Sequence, residues 1–269
     1  MIDLAMMNAQ PGSATSEIGE LAAPVLHSPL LTELAVRHGF TTRLGGVSTG
    51  RFASLNLGDR WGDSPADVAE NLDRVSMLAG FPPASLCQVN QVHGAYVACL
   101  SAPERRLRDA DGMAAQDPLT LAVYSADCVP ILLADGHGRV AAVHAGWRGT
   151  VAGIAAAAVR ALVGLGATAA QLRAALLPSI GPCCFEVQED VASQFRSVQP
   201  GAVQREANGR RTVDLWLANR QFLLDAGLRS EHIEDRPACT CCDARRFFSY
   251  RRDGAGIGQH MAFIVGGRA

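Results

Sequence analysis

The chain has 269 residues, with 24 basic against 26 acidic side chains and a formal net charge of −2. It lacks the basic excess of a nucleic-acid-binding domain, and no apolar run reaches the ~20 residues that a bilayer span needs. Every basic residue is arginine, so Schiff-base chemistry, pyridoxal phosphate anchoring and a P-loop lysine are excluded, and any anion must be held by arginine, backbone N–H groups or metal. Residues Met1 to Ala23 show neither a basic n-region nor a continuous apolar core, so they do not read as a signal peptide. Residues 1–28 are expected to be a flexible extension ahead of one domain over 29–269. Eight cysteines without an export signal fit reduced thiols in the cytoplasm.

Thr41 to Leu57 is rich in Gly and Ser and reads as a loop. Ser64 caps a helix with Pro65 at its first position, running to about Ala79 and stopped by Gly80. Leu86 to Leu100 alternates like a strand, with His93 at a strand edge or in the turn made by Gly94, and Leu119 to Tyr124 is a second, apolar strand. Val129 to Ala134 and Arg139 to Val143 are expected to pair as a hairpin through the loop Asp135-Gly136-His137-Gly138. Thr150 can cap an alanine-rich helix through Val163 that ends at Gly164. Ala169 to Leu172 leads into a strand ending near Leu177, and Gln188 to Phe195 and Leu215 to Ala226 read as helices. Phe247 to Asp253 is expected to be a strand that turns Phe248 and Tyr250 inward. Strands and helices mix without a βαβ rhythm, which predicts an α+β single domain with mixed β-sheets flanked by helices.

The hairpin carries chemistry. Its two arms straddle the turn so that Cys128 comes beside His144, and cross-strand Cβ atoms lie about 5 Å apart. A thiolate and an imidazole at that distance can share a metal ion, and His93 in Gln91-Val92-His93-Gly94 is a third candidate ligand. Zinc accepts two His and one Cys, and three protein ligands leave a fourth position for water or substrate. The competing reading is a satisfied polar histidine and an inert buried thiol.

The segments QVHG, SADCVPILL, AAVHAGWRGT, IGPCCFEV and FFSYRRDG, with HGFTTRLGGVST and SLNLG upstream, resemble the YfiH-like family. It is also called the laccase-domain or multicopper polyphenol oxidase family and is related to the human purine-metabolising protein FAMIN. The resemblance covers roughly Pro29 to the C-terminus. It implies a zinc-dependent purine nucleoside phosphorylase with accompanying adenosine deaminase activity, acting on purine nucleosides and phosphate as a monomer or homodimer. It also places His93, Cys128 and His144 on the family's zinc-ligand positions. Copper is the secondary metal, because no His-x-His pairs typical of multicopper centres occur. The rivals are a hydrolase editing peptidoglycan precursors, a metal-free hydrolase with Cys128 as nucleophile and His144 as base, and a metal-stabilised binding module.

Around this core the sequence offers further candidates. Asp127 and Asp111 can orient ligands or shuttle protons, against the alternative of turn aspartates bonding nearby N–H groups. Arg43 and Arg148 suit phosphate through their planar forks, although Arg148 can equally stack on Trp147. Asn56 can contact base or ribose, or cap a turn. Cys183, Cys184, Cys239, Cys241 and Cys242 are expected to be structural thiols rather than a second metal site. Gln259-His260 stands where the resemblance leads one to expect Gly-Arg.

Overall fold

The computed structural model describes residues 23–205 and 209–267. In chain order the strands are β1 (Val25–Leu26), β2 (His38–Thr41), β3 (Leu86–Asn90), β4 (Val97–Cys99), β5 (Arg105–Asp109), β6 (Gly112–Ala115), β7 (Thr120–Ser125), β8 (Val129–Ala134), β9 (Val140–Ala145), β10 (Arg173–Leu176), β11 (Val203–Arg205), β12 (Arg211–Val213), β13 (Ile233–Glu234) and β14 (His260–Val265). Two six-stranded sheets form in the orders β1-β2-β14-β7-β3-β5 and β13-β10-β8-β9-β6-β4, with β11–β12 as a separate ribbon. Both are mixed: β3 runs parallel to β5 and β7, while β7–β14 and β8–β9 are antiparallel. The α+β reading holds.

Strands β7, β8, β9 and β14 are buried at every position, which requires both faces of each sheet to be covered. Alternation sorts their side chains. Leu121, Val123, Ala262 and Ile264 of the first sheet meet Met113, Leu132, Ala134, Val140 and Ala142 of the second. On the far side of the second sheet, Ile131, Leu133, Ala141 and Val143 pack on helices 154–164 and 215–225 through Ile154, Ala158, Leu162 and Leu223. The far side of the first sheet sets Tyr124, Met261 and Phe263 against Leu55, Val75 and Phe81, beneath helix Pro65–Ala79. The result is four layers, helix, sheet, sheet and helix.

The helix signals of Ser64, Pro65 and Gly80 are realised, with the Ser64 side chain accepting from the Asp67 N–H and Gly80 in the left-handed region. The alanine-rich helix differs. A short helix begins at Trp147, and a break at Gly153 (φ 76°) starts a second helix at Ile154. Thr150 is therefore buried inside the first helix, where its hydroxyl accepts from Asn219. The expected strand Leu86–Leu100 is also divided, because β3 and β4 belong to different sheets and the segment with His93 crosses between them. Phe247–Asp253 is not a strand: Phe247 and Phe248 are buried, but Tyr250–Asp253 is a helical turn and Tyr250 is exposed. The Ser249 hydroxyl caps that turn by accepting from the Arg252 N–H, which makes it locally helical. Of the expected 1–28 extension, residues 1–22 lie outside the described residues, and Val25–Leu26 pairs with Phe40–Thr41.

Candidate active site

The β8–β9 register pairs Val129 with Ala145 and Pro130 with His144. Continued past the end of β8, it sets Cys128 opposite Gly146, with His144 one diagonal step away on the same face. The hairpin is thus offset by two residues from the sequence expectation, and an even offset keeps side chains on their face. His93 enters from the β3–β4 crossover in the left-handed region, at φ 64°. The ligand atoms of His93, Cys128 and His144 all lie within 4.8 Å of one another. A Cβ on Gly146 would come 3.1 Å from Cys128 Sγ and 3.0 Å from His93 Cδ2. The absent side chain therefore opens the hollow that the three donors surround, and a tetrahedral cation fits that donor set.

Asp111 organises two of the three. It precedes β6, where Gly112 pairs with Val143, and so faces His144 across the ladder. Its Oδ1 accepts from His144 Nδ1 at 2.9 Å, which turns Nε2 toward the thiol side. The same fully buried carboxylate accepts the backbone N–H groups of Val92 (3.2 Å), His93 (2.9 Å) and Gly94 (2.5 Å), clamping the crossover that carries His93. Burial alone would raise the Asp111 carboxyl, but these partners outweigh it and hold it below its ordinary value. Burial would likewise raise the Cys128 thiol, yet His144 and His93 draw it down to about 6. His144, which burial alone would lower, is lifted to about 9 by Cys128 and Asp111.

These groups form one wall of a cavity of about 810 Å³. Arg60, Arg106, Arg148 and Arg251 line it with the aromatic side chains of Trp61, Tyr124, Trp147, Phe185 and Tyr250. Arg148 lies over the Trp147 ring at 4.2 Å and Arg251 over Phe185 at 5.2 Å. Trp61 and Tyr250 face each other with ring centroids 5.9 Å apart. A concave site with apolar walls, several cations and a soft donor set can hold a flat heteroaromatic ring beside an anion.

The expected residues divide in two. Asp127 and Arg148 reach the cavity. Asp127, at φ 108°, has its carboxylate taken by Thr240 Oγ1 (2.6 Å), Ser249 Oγ (3.0 Å) and the Arg251 N–H (2.7 Å). Arg43 and Asn56 stand outside the lining. Arg43 donates to the carbonyls of Ala53 and Ala244 and lies over Phe248. Asn56 is fully buried, bonding Gly58, Asp63 and the Gln259 N–H. Arg60 and Trp61, in the loop before the Ser64-capped helix, and Arg106, in β5, are not legible as site residues in the sequence, because no local pattern signals that these segments return to the site. Tyr250 and Arg251, expected in a strand, instead reach the cavity from the helical turn Tyr250–Asp253.

Among the described residues, no helix is long and apolar enough to cross a membrane. A protein of Deinococcus radiodurans named purine nucleoside phosphorylase is 42% identical over 243 residues, covering 90% of this chain and 92% of that protein. The crystal structure of YlmD from Geobacillus stearothermophilus superposes with a TM-score of 0.85 at 33% identity, over 92% of this chain and 97% of that one. Bacillus licheniformis YfiH gives 0.86 at 32% identity, over 92% and 98%. The profile described as multi-copper polyphenol oxidoreductase laccase matches residues 37–266, and the chain belongs to that family.

Proposed function

We propose that the chain is a zinc-dependent purine nucleoside phosphorylase that also deaminates adenosine, with adenosine, inosine and methylthioadenosine as its substrate class. The observation that carries this reading is the joining of a His93–Cys128–His144 donor set to a cavity walled by aromatic rings and four arginines. The relative named purine nucleoside phosphorylase supports it. Zinc bound by the three side chains would supply Lewis acidity and lower the pKa of a water in its open position toward about 7. The protein does the remaining work. Arg148, with Arg60, Arg106 and Arg251 around the cavity, holds phosphate; Trp61 and Tyr250 orient the base by stacking; Asp111 fixes the His144 tautomer. Asp127 keeps the Thr240 and Ser249 segments in place, while Arg43 and Asn56 support the wall from outside. Eight free thiols fit a reducing compartment such as the cytoplasm.

Zinc is preferred to copper on the donor set. Among the described residues, two groups of three or more candidate metal ligands occur, and one consists only of cysteines, so the histidine-rich cluster of a multicopper centre has no place to form. The depressed thiol of Cys128 beside the raised His144 favours one second reading, a metal-free thiolate–imidazolium hydrolase. One experiment separates them: elemental analysis of wild type and Cys128→Ala, with turnover of adenosine and inosine with and without phosphate. The proposal expects about one zinc lost in the variant, with both activities. Undiminished zinc in Cys128→Ala, or phosphate-independent release of base, would overturn it.

A further inference from the structure

Away from the cavity's donor set, four thiols converge from two segments distant in sequence. Cys183 and Cys184 lie in the turn after β10; after β13, Cys239 makes an isolated β-bridge to Ser179 and Cys242 lies in the turn that follows. Their Sγ atoms are all within 4.8 Å of one another. Cys242 is 3.5 Å from Cys183 and 3.4 Å from Cys184, so it favours neither as a covalent partner. A tetrahedron with Zn–S bonds of 2.3 Å has edges of about 3.8 Å. The observed spacing is close to that, and it is too tight to enclose the several metals and sulfides of an iron–sulfur cluster. Cys239 and Cys242 have the two-residue spacing of a zinc knuckle. The Gly181 N–H donates to Cys239 Sγ at 3.2 Å, as backbone amides do to a thiolate ligand.

We infer that Cys183, Cys184, Cys239 and Cys242 form a second metal site, a mononuclear tetrathiolate for a soft divalent cation of the zinc class. Four thiolates around a dication leave two negative charges, and the surroundings suit them. Arg210 donates to the Cys183 carbonyl, Arg251 to the Cys184 carbonyl, and Arg252 to the carbonyls of Thr240 and Cys241. The ion ties residues 181–186 to residues 239–242. The first segment carries Phe185 and Glu186 of the cavity wall. The second carries Thr240, whose hydroxyl donates to Asp127. The site is therefore a staple behind one wall of the cavity, with no part in the chemistry. Sequence spacing alone favoured separate thiols, because Cys183 and Cys184 lie more than fifty positions from their partners and no histidine accompanies them.

Residue-resolved alkylation of the wild-type protein, with and without zinc, tests the inference with no variant to fold. Zinc should protect Cys183, Cys184, Cys239 and Cys242, while Cys241 and the exposed Cys99 react at unchanged rates. In Cys128→Ala, which removes a ligand of the first site, one equivalent of Co2+ should still give the charge-transfer and ligand-field bands of a tetrahedral tetrathiolate. Cys183→Ser and Cys242→Ser should each weaken those bands. Alkylation of Cys183 and Cys242 as fast as Cys99 in zinc-saturated protein would overturn the assignment. So would a cobalt spectrum without thiolate charge transfer, or a Cys183–Cys242 or Cys184–Cys242 disulfide in freshly purified protein.

Discussion

Gly146 stands opposite Cys128 at the end of the β8–β9 ladder, and a single methyl group there would touch both the thiol and His93. Its backbone, at φ −66° and ψ 167°, is open to any residue, so the glycine serves space rather than conformation. Gly146→Ala should fold with a melting temperature near that of the wild type. It should bind zinc at least tenfold more weakly, because the Cβ contacts of 3.1 and 3.0 Å push two ligands apart. Chelator competition measures this, and wild-type affinity in the variant would show that the hollow is not the metal's seat. His137→Ala is the matched control, since His137 is exposed in the hairpin turn and its loss should leave metal binding intact.

Asp111 yields the second prediction. Asp111→Asn keeps the side chain's shape, but it removes the charge that holds His144 Nδ1 and the three N–H groups of the crossover. Loss of such an orienting carboxylate typically costs 10–100-fold in metal affinity. Zinc affinity should fall by about that factor, and the pH dependence of zinc uptake should shift with His144. Unchanged affinity would reduce Asp111 to a turn-capping residue, the alternative that its Asp-Ala-Asp-Gly setting suggests.

Much of the metal-site geometry was legible because the sequence places Cys128 and His144 on either side of a short turn. The true pairing, Pro130 with His144, was not. Asp135 and Arg139 close the turn with an ion pair at 2.8 Å, and this shifts β9 to begin at Val140. The helix at Ser64–Ala79 was legible from its caps, which are local. The division of Leu86–Leu100 between two sheets was not, since it depends on β3 pairing with β7 and β4 with β6. The cavity arginines were hidden for the same reason: Arg60, Arg106 and Arg251 are brought together only by tertiary return of their segments.

His260 stands where a charged residue was expected, and it is fully buried with Nε2 accepting the Phe248 N–H at 2.8 Å. Burial lowers it to about 3 from an ordinary 6.5. The folded chain thus refuses a proton that the unfolded chain accepts below about pH 6.5. Its share of stability is fully present above that pH and is lost as pH falls toward 3, at up to about 1.4 kcal/mol per unit. His260→Gln, whose amide oxygen can accept the same N–H, should show a shallower fall between pH 6 and 4 in urea unfolding, by about one proton. Parallel slopes for the two proteins would mean that His260 is already charged in the fold.

Arg148 offers the sharpest division between the two proposed reactions. Its guanidinium is exposed at the cavity and lies over Trp147, so removing it does not unpack the core. Deamination consumes water and no phosphate, whereas phosphorolysis needs the anion held against the sugar. If Arg148 grips that anion, Arg148→Ala removes charge-assisted hydrogen bonds of about 1.5–3 kcal/mol. At about 1.4 kcal/mol per tenfold, inosine phosphorolysis should fall roughly ten- to a hundredfold, with KM for phosphate rising. Adenosine deamination should fall much less, and zinc content should not change. Both rates and the metal content are to be measured on one preparation. Equal losses in the two reactions would assign Arg148 to the architecture of the wall through its stack on Trp147, and the phosphate would then fall to Arg60, Arg106 or Arg251.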